Sequence, residues 1–177
     1  MILVVAATER ELAGADGAAV LVCGIGPVEA AAATAQALAE RRPSAVLHVG
    51  IAGARGLGAP QLVIGSESVY EDAAGGALVP ARVAPDPALL AAVQRALPDA
   101  HVLAIGTSAH VGGTRRCTVE AMEGFAVLRA AERAGIPAVE VRVVSNEIDE
   151  PDRSRWRFDD ALAALDSALP RLLAALQ

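Results

Sequence analysis

Two acidic residues stand among apolar neighbours, where a carboxyl group is a candidate for proton transfer. Glu11 follows the short apolar segment Ile2–Ala6, and Glu123 lies in the run Val119-Glu120-Ala121-Met122-Glu123-Gly124. A positioned carboxylate can take a proton from water or hold a reacting group. For one Glu alone the simpler explanation is a solvated position, at a helix start for Glu11 and on an exposed helical stripe for Glu120 and Glu123. Glu11 and Glu123 are therefore candidates that need support from the rest of the sequence.

Glycine motifs in the chain indicate tight turns rather than a dinucleotide-binding loop. Gly24-Ile25-Gly26 lies between an apolar segment and a helical pattern, but Glu29 occupies the position that needs a third small residue. We therefore predict a strand-to-helix turn at Gly24–Gly26. A second turn, with close approach of the backbone to another group, is predicted at Gly50-Ile51-Ala52-Gly53.

Metal and serine-nucleophile chemistry find no support in the residue pattern. His48, His101 and His110 do not have the spacing of a metal-ligand set, and no serine lies in a Gly-x-Ser-x-Gly motif. The 15 basic residues are all Arg, so Schiff-base chemistry on a Lys is excluded. The sequence predicts a protein without a metal or another cofactor.

Composition excludes several further classes of protein. The 177 residues carry a net charge of −6, with a pI near 5.0, whereas nucleic-acid-binding proteins carry a basic surface. Hydrophobic residues make up 54%, which excludes disorder, but no apolar run is long and uncharged enough to act as a leader or to cross a membrane. Cys23 and Cys117 are predicted to be free buried thiols. We expect a soluble cytoplasmic protein.

Short apolar runs rich in β-branched residues alternate with helical patterns along the chain. Strands are predicted at Ile2–Ala6, Ala18–Cys23, Ala45–Val49, Leu62–Val69, His101–Ile105 and Ala138–Val144. Helices are predicted at Pro27–Arg41, Pro87–Ala96, Val119–Ala134 and Asp159–Leu176. Buried strands that are each followed by a helix indicate a largely parallel sheet covered on both faces.

In such a sheet ligands bind beyond the carboxyl ends of the strands. The segments in question are Ala7–Glu11, Gly24–Pro27, Gly50–Arg55, Tyr70–Gly76, Gly106–Thr114 and Ser145–Asp149. Both candidate carboxylates lie in or near these segments, which predicts one shared site.

Four motifs together resemble the purine nucleoside phosphorylase/nucleosidase superfamily. They are Val22–Pro27, Val49–Gly53, Glu120–Gly124 and Val141-Arg142-Val143-Val144-Ser145-Asn146. Within the superfamily the chain resembles the futalosine hydrolases, on the segment Glu67–Asp72, the pair Ser145-Asn146, and Trp156 with Arg153 and Arg155. The resemblance implies a three-layer α/β sandwich with a mixed, mostly parallel sheet, formed by residues 1–177 as a single domain.

The resemblance also implies hydrolysis of an N-glycosidic bond through an oxocarbenium-like ribosyl transition state, in the futalosine route to menaquinone. Glu11 would be the general base, and Glu123 would hold the ribose hydroxyls, with Met122 against the sugar. Asn146 replaces the Asp that protonates adenine in related nucleosidases. An amide offers a donor and an acceptor, which suits the 6-oxopurine hypoxanthine. The other implied substrate-binding residues are Ile51, Ala52, Gly53, His110, Val111 and Ala121.

Several alternatives stay open on these residues. Asp149 is a second candidate acid, and His110, Val111 or Phe125 is expected to pack on the base. Phosphorolytic relatives bind phosphate at positions that correspond to His48 and Ile51, neither of which is a good phosphate ligand. Water is therefore the favoured nucleophile. Arg55 stays open as a residue that could reach the site and bind phosphate. The alternative functions are a methylthioadenosine/S-adenosylhomocysteine nucleosidase, a purine nucleoside phosphorylase and a non-catalytic nucleoside-binding module.

The resemblance implies that the partner is a small-molecule nucleoside. It also implies a homo-oligomer, either a dimer or a tetramer, because relatives complete the sugar pocket across a subunit interface.

Overall fold

Eight strands and four α-helices make up the computed structural model, which describes all 177 residues. The strands are β1 (Ile2–Ala6), β2 (Ala19–Val22), β3 (Ala45–Ala54), β4 (Leu62–Tyr70), β5 (Arg82–Val83), β6 (His101–Thr107), β7 (Val119–Ala121) and β8 (Ala138–Glu147). The helices are α1 (Pro27–Arg41), α2 (Pro87–Ala96), α3 (Gly124–Ala134) and α4 (Phe158–Ala175). Short 3-10 helices cover Glu9–Leu12, Gly76–Leu78 and Arg153–Arg155.

All strands belong to one mixed sheet in the order β2-β1-β3-β7-β6-β4-β5, and β8 pairs with both β3 and β4. Five of the eight strand pairings are parallel. Because β8 connects β3 to β4, the strands β3, β7, β6, β4 and β8 close into a ring. The mostly parallel mixed sheet expected from the sequence is confirmed, and the closed ring is an addition to it.

Helices cover both faces of the sheet. In β1, Val4 packs in the cluster that contains Leu169 of α4, whereas its neighbour Val5 packs in the cluster that contains Leu38 of α1 and Leu128 of α3. Successive strand residues point to opposite faces, so α4 with α2 and α1 with α3 form the two outer layers. The three-layer architecture is therefore confirmed. None of the helices combines the length and apolarity that a membrane span requires.

Local signals in the sequence explain where the helices begin and end. Pro27 occupies the first turn of α1, and Asp86 caps α2 by accepting hydrogen bonds from the backbone N–H groups of Ala88 and Leu89. Gly135, at a φ of 68°, ends α3 in the left-handed conformation that glycine adopts without strain. The predicted bounds of α1 and α2 agree with the structure.

The helix predicted over Val119–Ala134 is wrong in its first part. Val119–Ala121 form β7, paired with β3 and β6, and the helix begins only at Gly124. Three residues are too few to show a strand period, so the acidic-apolar pattern looks like one continuous helix. The correction matters because it places Glu120 and Glu123 on different elements.

The turn predicted at Gly50–Gly53 is also wrong, because β3 continues through it to Ala54, with one irregularity in its register with β8 between Ala52 and Gly53. The parallel partner β8 likewise continues through Ser145 and Asn146 to Glu147. A glycine is needed at position 50 because a Cβ there would lie 2.3 Å from Nη1 of Arg142 and 2.7 Å from Oε1 of Glu11. The glycine thus marks a close approach between side chains and a strand, not a turn.

Both cysteines are free and buried. Burial is the main cause that raises the pKa of each thiol, Cys23 and Cys117, to about 12. A thiol with such a pKa stays protonated at neutral pH, so neither cysteine is a nucleophile.

Candidate active site

A cavity of about 760 Å³ opens where β1, β3 and β8 reach their carboxyl ends, beside β7 and the start of α3. The two candidate catalytic residues and the eight implied substrate-binding residues all line this cavity. These residues are Glu11, Ile51, Ala52, Gly53, His110, Val111, Ala121, Met122, Glu123 and Asn146. The structure therefore brings together side chains from five separate stretches of the chain.

Glu11 is buried, with an exposed fraction of 5%, on the short 3-10 helix that follows β1. Its Oε2 accepts hydrogen bonds from the backbone N–H and the hydroxyl of Thr8, at 2.9 and 2.8 Å. Its Oε1 accepts one, from the backbone N–H of Ile51 at 3.0 Å. A carboxylate oxygen accepts about two hydrogen bonds, so Oε1 keeps a lone pair that Oε2 does not.

Glu123 lies at the N-cap position of α3 and is buried. Its Oε1 accepts a hydrogen bond from the backbone N–H of Gly26 at 3.0 Å, and its Oε2 lies 3.5 Å from Nη2 of Arg142. Burial raises the pKa of Glu123, against the opposing effects of Arg142 and the Gly26 N–H. The left-handed glycine turn before α1, confirmed at Gly24 and Gly26, thus supplies a donor to the site.

Arg142 is a buried cation close to the carboxylates of the site. It lies on β8 with 1% of its side chain exposed, and its Nε donates to Oε1 of Glu140 at 2.8 Å. Burial alone would lower the pKa of Arg142, but Glu140, Glu123 and Glu11 outweigh it and raise the pKa. A guanidinium therefore stays charged beneath a site that contains three buried carboxyl groups.

His48 and Glu140 are the buried side chains that hold Arg142 in place beneath the cavity. Burial, reinforced by the charge of Arg142, holds the pKa of His48 well below its ordinary value. Nδ1 of the neutral ring lies 3.0 Å from the carbonyl of Val5 and must donate to it, so Nε2 accepts from Nη2 of Arg142. Glu140 accepts from the hydroxyl of Ser68 and lies against Gly124, where a Cβ would approach its oxygens to 2.3 Å.

Sequence reasoning missed the roles of Arg142 and Glu140. Arg142 was part of a recognised motif but received no role, and Glu140 lies in a strand that reads as continuous and buried. The available signal was two charged residues at i and i+2 in an apolar strand, which places both on one face of the sheet.

Asn146 presents its amide at the side of the cavity, with 9% of the residue exposed. Its Oδ1 accepts from the Ser145 hydroxyl at 2.8 Å, and its Nδ2 donates to the carbonyl of Glu147 at 2.9 Å. A carbonyl can only accept, so the Glu147 oxygen determines which end of the amide is the nitrogen. One N–H of the amide remains without a partner in the protein and is available to a ligand.

A loop over residues 108–118 covers another part of the cavity through His110 and Val111. Glu120, on β7, accepts hydrogen bonds from the backbone N–H groups of Gly112 at 2.6 Å and Thr114 at 2.7 Å. Phe125, the third candidate for packing on the base, does not line the cavity and instead stacks on Tyr70 at a centroid distance of 5.2 Å. His110 and Val111 remain the candidates.

Aromatic and basic side chains form the outer part of the cavity. Trp156 and Phe158 lie 5.3 Å apart between ring centroids, and the guanidinium of Arg153 lies 5.5 Å from the centre of the Trp156 ring. Ile25 and Leu162 extend this wall. This part of the cavity therefore combines aromatic and aliphatic surface with the guanidinium of Arg153.

Like Phe125, the candidate residues Asp149 and Arg55 lie outside the cavity. Asp149 is largely exposed and pairs with Arg55 at 3.2 Å. Arg55 also donates to the carbonyl of Thr114 at 3.0 Å. Its guanidinium is therefore bound to the 108–118 loop. Neither Asp149 nor Arg55 lines the cavity, so Asp149 is not placed as the acid and Arg55 is not placed as a phosphate ligand. No group of three or more His, Cys, Asp or Glu side chains is arranged to hold a metal ion.

Comparison with known proteins identifies the family. The model of the phosphorylase superfamily matches residues 7–177. The chain belongs to the phosphorylase superfamily. The futalosine hydrolase of Streptomyces coelicolor is 34% identical over 194 residues, which cover 92% of this chain and 81% of that protein. The futalosine hydrolase of Acidothermus cellulolyticus is 35% identical over 197 residues, which cover 96% and 79%.

Solved structures of the superfamily share the fold. A Streptococcus pneumoniae MTA/SAH nucleosidase, in complex with 8-aminoadenine, aligns with a TM-score of 0.86 at 22% identity and covers 98% of this chain and 99% of its own. A futalosine hydrolase mutant of Helicobacter pylori aligns with a TM-score of 0.85 at 17% identity and covers 99% and 97%. The similarity extends over essentially the whole superfamily fold.

Proposed function

We propose that this chain is a nucleosidase that hydrolyses the N-glycosidic bond of futalosine, releasing hypoxanthine and the dehypoxanthinyl product. The observation that carries the proposal is the single cavity that two buried carboxylates, Glu11 and Glu123, line together with the Asn146 amide, which keeps one N–H free. The two futalosine hydrolases that are 34% and 35% identical over most of this chain support the same substrate.

Glu11 acts as the general base in this mechanism. Its Oε1 holds one hydrogen bond, from Ile51, and keeps a lone pair for a water molecule in the cavity. Its Oε2 is held by both donors of Thr8, which prevents the carboxylate from rotating. Proton transfer to such a positioned carboxylate makes the water a better nucleophile at the anomeric carbon.

Glu123 accepts hydrogen bonds from the ribose hydroxyls and stabilises positive charge on the sugar. Its raised pKa shows that the buried carboxylate is costly, and an electron-poor ribose ring is a favourable neighbour for it. Met122 lines the cavity next to Glu123 and provides the apolar surface on which the sugar packs.

Asn146 donates its free N–H to N7 of the departing base. The amide cannot protonate the base, but hypoxanthine leaves as an anion stabilised by its carbonyl, so hydrogen-bond donation is sufficient. Adenine lacks that carbonyl and needs a proton at N7. The residue at position 146 therefore favours the 6-oxopurine over the methylthioadenosine/S-adenosylhomocysteine substrates of the alternative reaction.

Water rather than phosphate is the nucleophile. His48 is occupied by Val5 and Arg142 and is kept neutral, Ile51 offers only its backbone and an apolar side chain, and Arg55 is outside the cavity. A phosphate dianion would require several donors at this point.

The experiment that tests the proposal is an assay of base release. The protein is incubated with futalosine, inosine or methylthioadenosine, each with and without phosphate, and free base is measured. We expect hypoxanthine from futalosine, independent of phosphate. Adenine release without hypoxanthine would overturn the substrate assignment, dependence on phosphate would indicate a phosphorylase, and binding without release would indicate a nucleoside-binding module.

The proposal requires that the protein binds a small-molecule nucleoside as its substrate. The cytoplasmic location and the homo-oligomer inferred from the sequence stay predictions within it.

A further inference from the structure

Glu120 is a buried carboxylate without a cationic partner. Its exposed fraction is 5%, and none of the ion pairs in the protein includes it. A buried charge of this kind is strongly destabilising unless hydrogen bonds compensate for it. The compensation comes from two short bonds, 2.6 Å from the Gly112 N–H to Oε1 and 2.7 Å from the Thr114 N–H to Oε2.

Both donors belong to the 108–118 loop, and the loop fits tightly where they hold it. Gly112 has a φ of 78°, and a Cβ on Gly113 would lie 1.8 Å from the hydroxyl oxygen of Ser108. Thr114 lies against the end of β6, where a Cβ on Gly106 would approach it to 2.7 Å. The loop is thus closely packed against the sheet between Ser108 and Thr114.

The two bonds hold the loop directly after the residues that line the cavity. His110 and Val111 line the cavity and directly precede Gly112. Glu120 itself borders the cavity, one strand residue before Ala121. Other contacts hold the two ends of the loop. Asp72 accepts from the Ala109 N–H at 2.8 Å, Arg55 donates to the carbonyl of Thr114 at 3.0 Å, and Glu71 pairs with Arg116 at 3.1 Å.

We propose that Glu120 is a positioning residue that holds the 108–118 loop closed over the purine end of the cavity, so that His110 and Val111 pack on the base. The proposal rests on the proposed function, because it takes a purine nucleoside as the ligand. Glu120 does not take part in bond cleavage. Its loss weakens capture of the base and leaves the chemical step intact.

The first measurement uses Glu120→Gln and reads the state of the loop directly. A Gln side chain has one acceptor oxygen, and its NH2 group would face one of the two loop N–H groups, so the loop opens. The loop contains Arg115-Arg116, a pair that trypsin cleaves when the backbone is accessible. We expect trypsin to cut the variant at this pair roughly tenfold faster than the wild type, the change expected when a hydrogen bond to a charged group is lost.

The second measurement is a comparison of KM with kcat on inosine or futalosine. Glu120→Gln is expected to raise KM, and the dissociation constant of free hypoxanthine, by roughly tenfold, with kcat changed less than about threefold. Hypoxanthine at saturating concentration should slow tryptic cleavage of the wild type more than that of the variant.

Asp86→Asn is the matched control. Asp86 also accepts two backbone N–H groups, at the start of α2, but lies outside the cavity. The control should match the wild type in trypsin cleavage, KM and kcat. Equal cleavage at Arg115-Arg116 in the wild type and in Glu120→Gln would overturn the proposal, as would a fall in kcat at unchanged KM or cleavage spread over all Arg sites.

The trypsin measurement needs no nucleoside. It therefore tests the role of Glu120 even if the wild type releases no base from any substrate and the proposed function fails.

Discussion

At Glu11 the three donors that hold the carboxylate also determine what a substitution would do. Glu11→Gln keeps the size of the side chain, but its NH2 group must face at least one of the donors from Thr8 and Ile51. We expect kcat to fall by about 10² to 10⁴, the usual contribution of a general base, while nucleoside binding survives. Steady-state kinetics and equilibrium binding of inosine measure both.

Glu9→Gln is the control for this prediction. Glu9 lies on the same 3-10 helix but is exposed and outside the cavity. Its variant should retain wild-type turnover, and a near-wild-type kcat in Glu11→Gln would remove Glu11 from the base role.

Asn146 offers a second prediction at the scale of a single residue. In Asn146→Asp one carboxyl oxygen would lie about where Nδ2 now donates to the carbonyl of Glu147, and two acceptors in contact repel each other. A proton on the new carboxyl group relieves this repulsion and makes the group an acid. We expect the ratio of kcat/KM for methylthioadenosine to that for inosine to rise by roughly tenfold or more.

Asp149→Asn serves as the comparison, because Asp149 pairs with Arg55 outside the cavity. It should leave base preference unchanged. An unaltered preference in Asn146→Asp would count against the assignment of Asn146 to the base.

The raised pKa of Glu123 predicts that the stability of the protein depends on pH. Burial raises the pKa of its carboxyl group above the ordinary value of 4.5, so the folded state binds this proton more tightly than the unfolded state does. This tighter binding adds to the free energy of unfolding. The addition is complete below the pKa of Glu123 in the unfolded state and is lost as pH rises through its pKa in the folded state. Urea unfolding of wild type and Glu123→Gln over this range should give a stability difference that changes with pH in this direction.

The neutral His48 has the opposite effect, since its lowered pKa makes the folded state lose stability as pH falls. Both proteins contain His48, so comparison of the two isolates Glu123. Parallel stability curves would show that Glu123 titrates normally.

At the scale of the element, β3 is the strand that the site depends on. It carries Ile51, Ala52 and Gly53 into the cavity, and its Gly50 leaves space for the side chains of Arg142 and Glu11. Sequence periodicity could place the strand but could not give its end, because glycines in a buried strand look the same as glycines in a turn. The close approach of the Arg142 side chain to Gly50 shows that this glycine belongs to a strand and not to a turn.

Gly50→Ala tests this explanation. The added methyl group must displace the Arg142 guanidinium or the Glu11 carboxylate, so we expect a loss of about 1 to 3 kcal/mol in the free energy of unfolding together with a large loss of kcat. Gly58→Ala is the control, because its Cβ would meet nothing within 4 Å. The free energy of unfolding is measured by denaturant titration and kcat by steady-state kinetics. Equal values for Gly50→Ala and Gly58→Ala would show that Gly50 is not needed for space.

At the scale of the whole molecule, an apolar patch lies beside the mouth of the cavity. It consists of Val20, Val22, Ile25 and Val28, which are 40%, 43%, 62% and 77% exposed. Ile25 lines the cavity, and β2, which carries the first two, is an edge strand paired only with β1. The patch is where we expect a second copy of the chain to bind.

Val28→Glu should shift the protein to a smaller mass in sedimentation and lower kcat/KM, because a charge at the centre of an apolar interface is costly. Leu78→Glu, at an exposed apolar site on another part of the surface, is the control and should leave the mass unchanged. One common mass for the wild type and Val28→Glu would refute the prediction.

The sequence by itself determined the layered fold and the bounds of α1 and α2. These features depend on local signals that act over a few residues, such as Pro27 and the Asp86 cap. The residues expected in the cavity followed instead from the motifs that resemble those of the superfamily. Tertiary structure alone decided the ring of strands, the start of α3 and the contacts of buried Arg142 with Glu140 and the neutral His48. A buried charge is explained only by partners that are distant in sequence, and no local pattern records which partners those are.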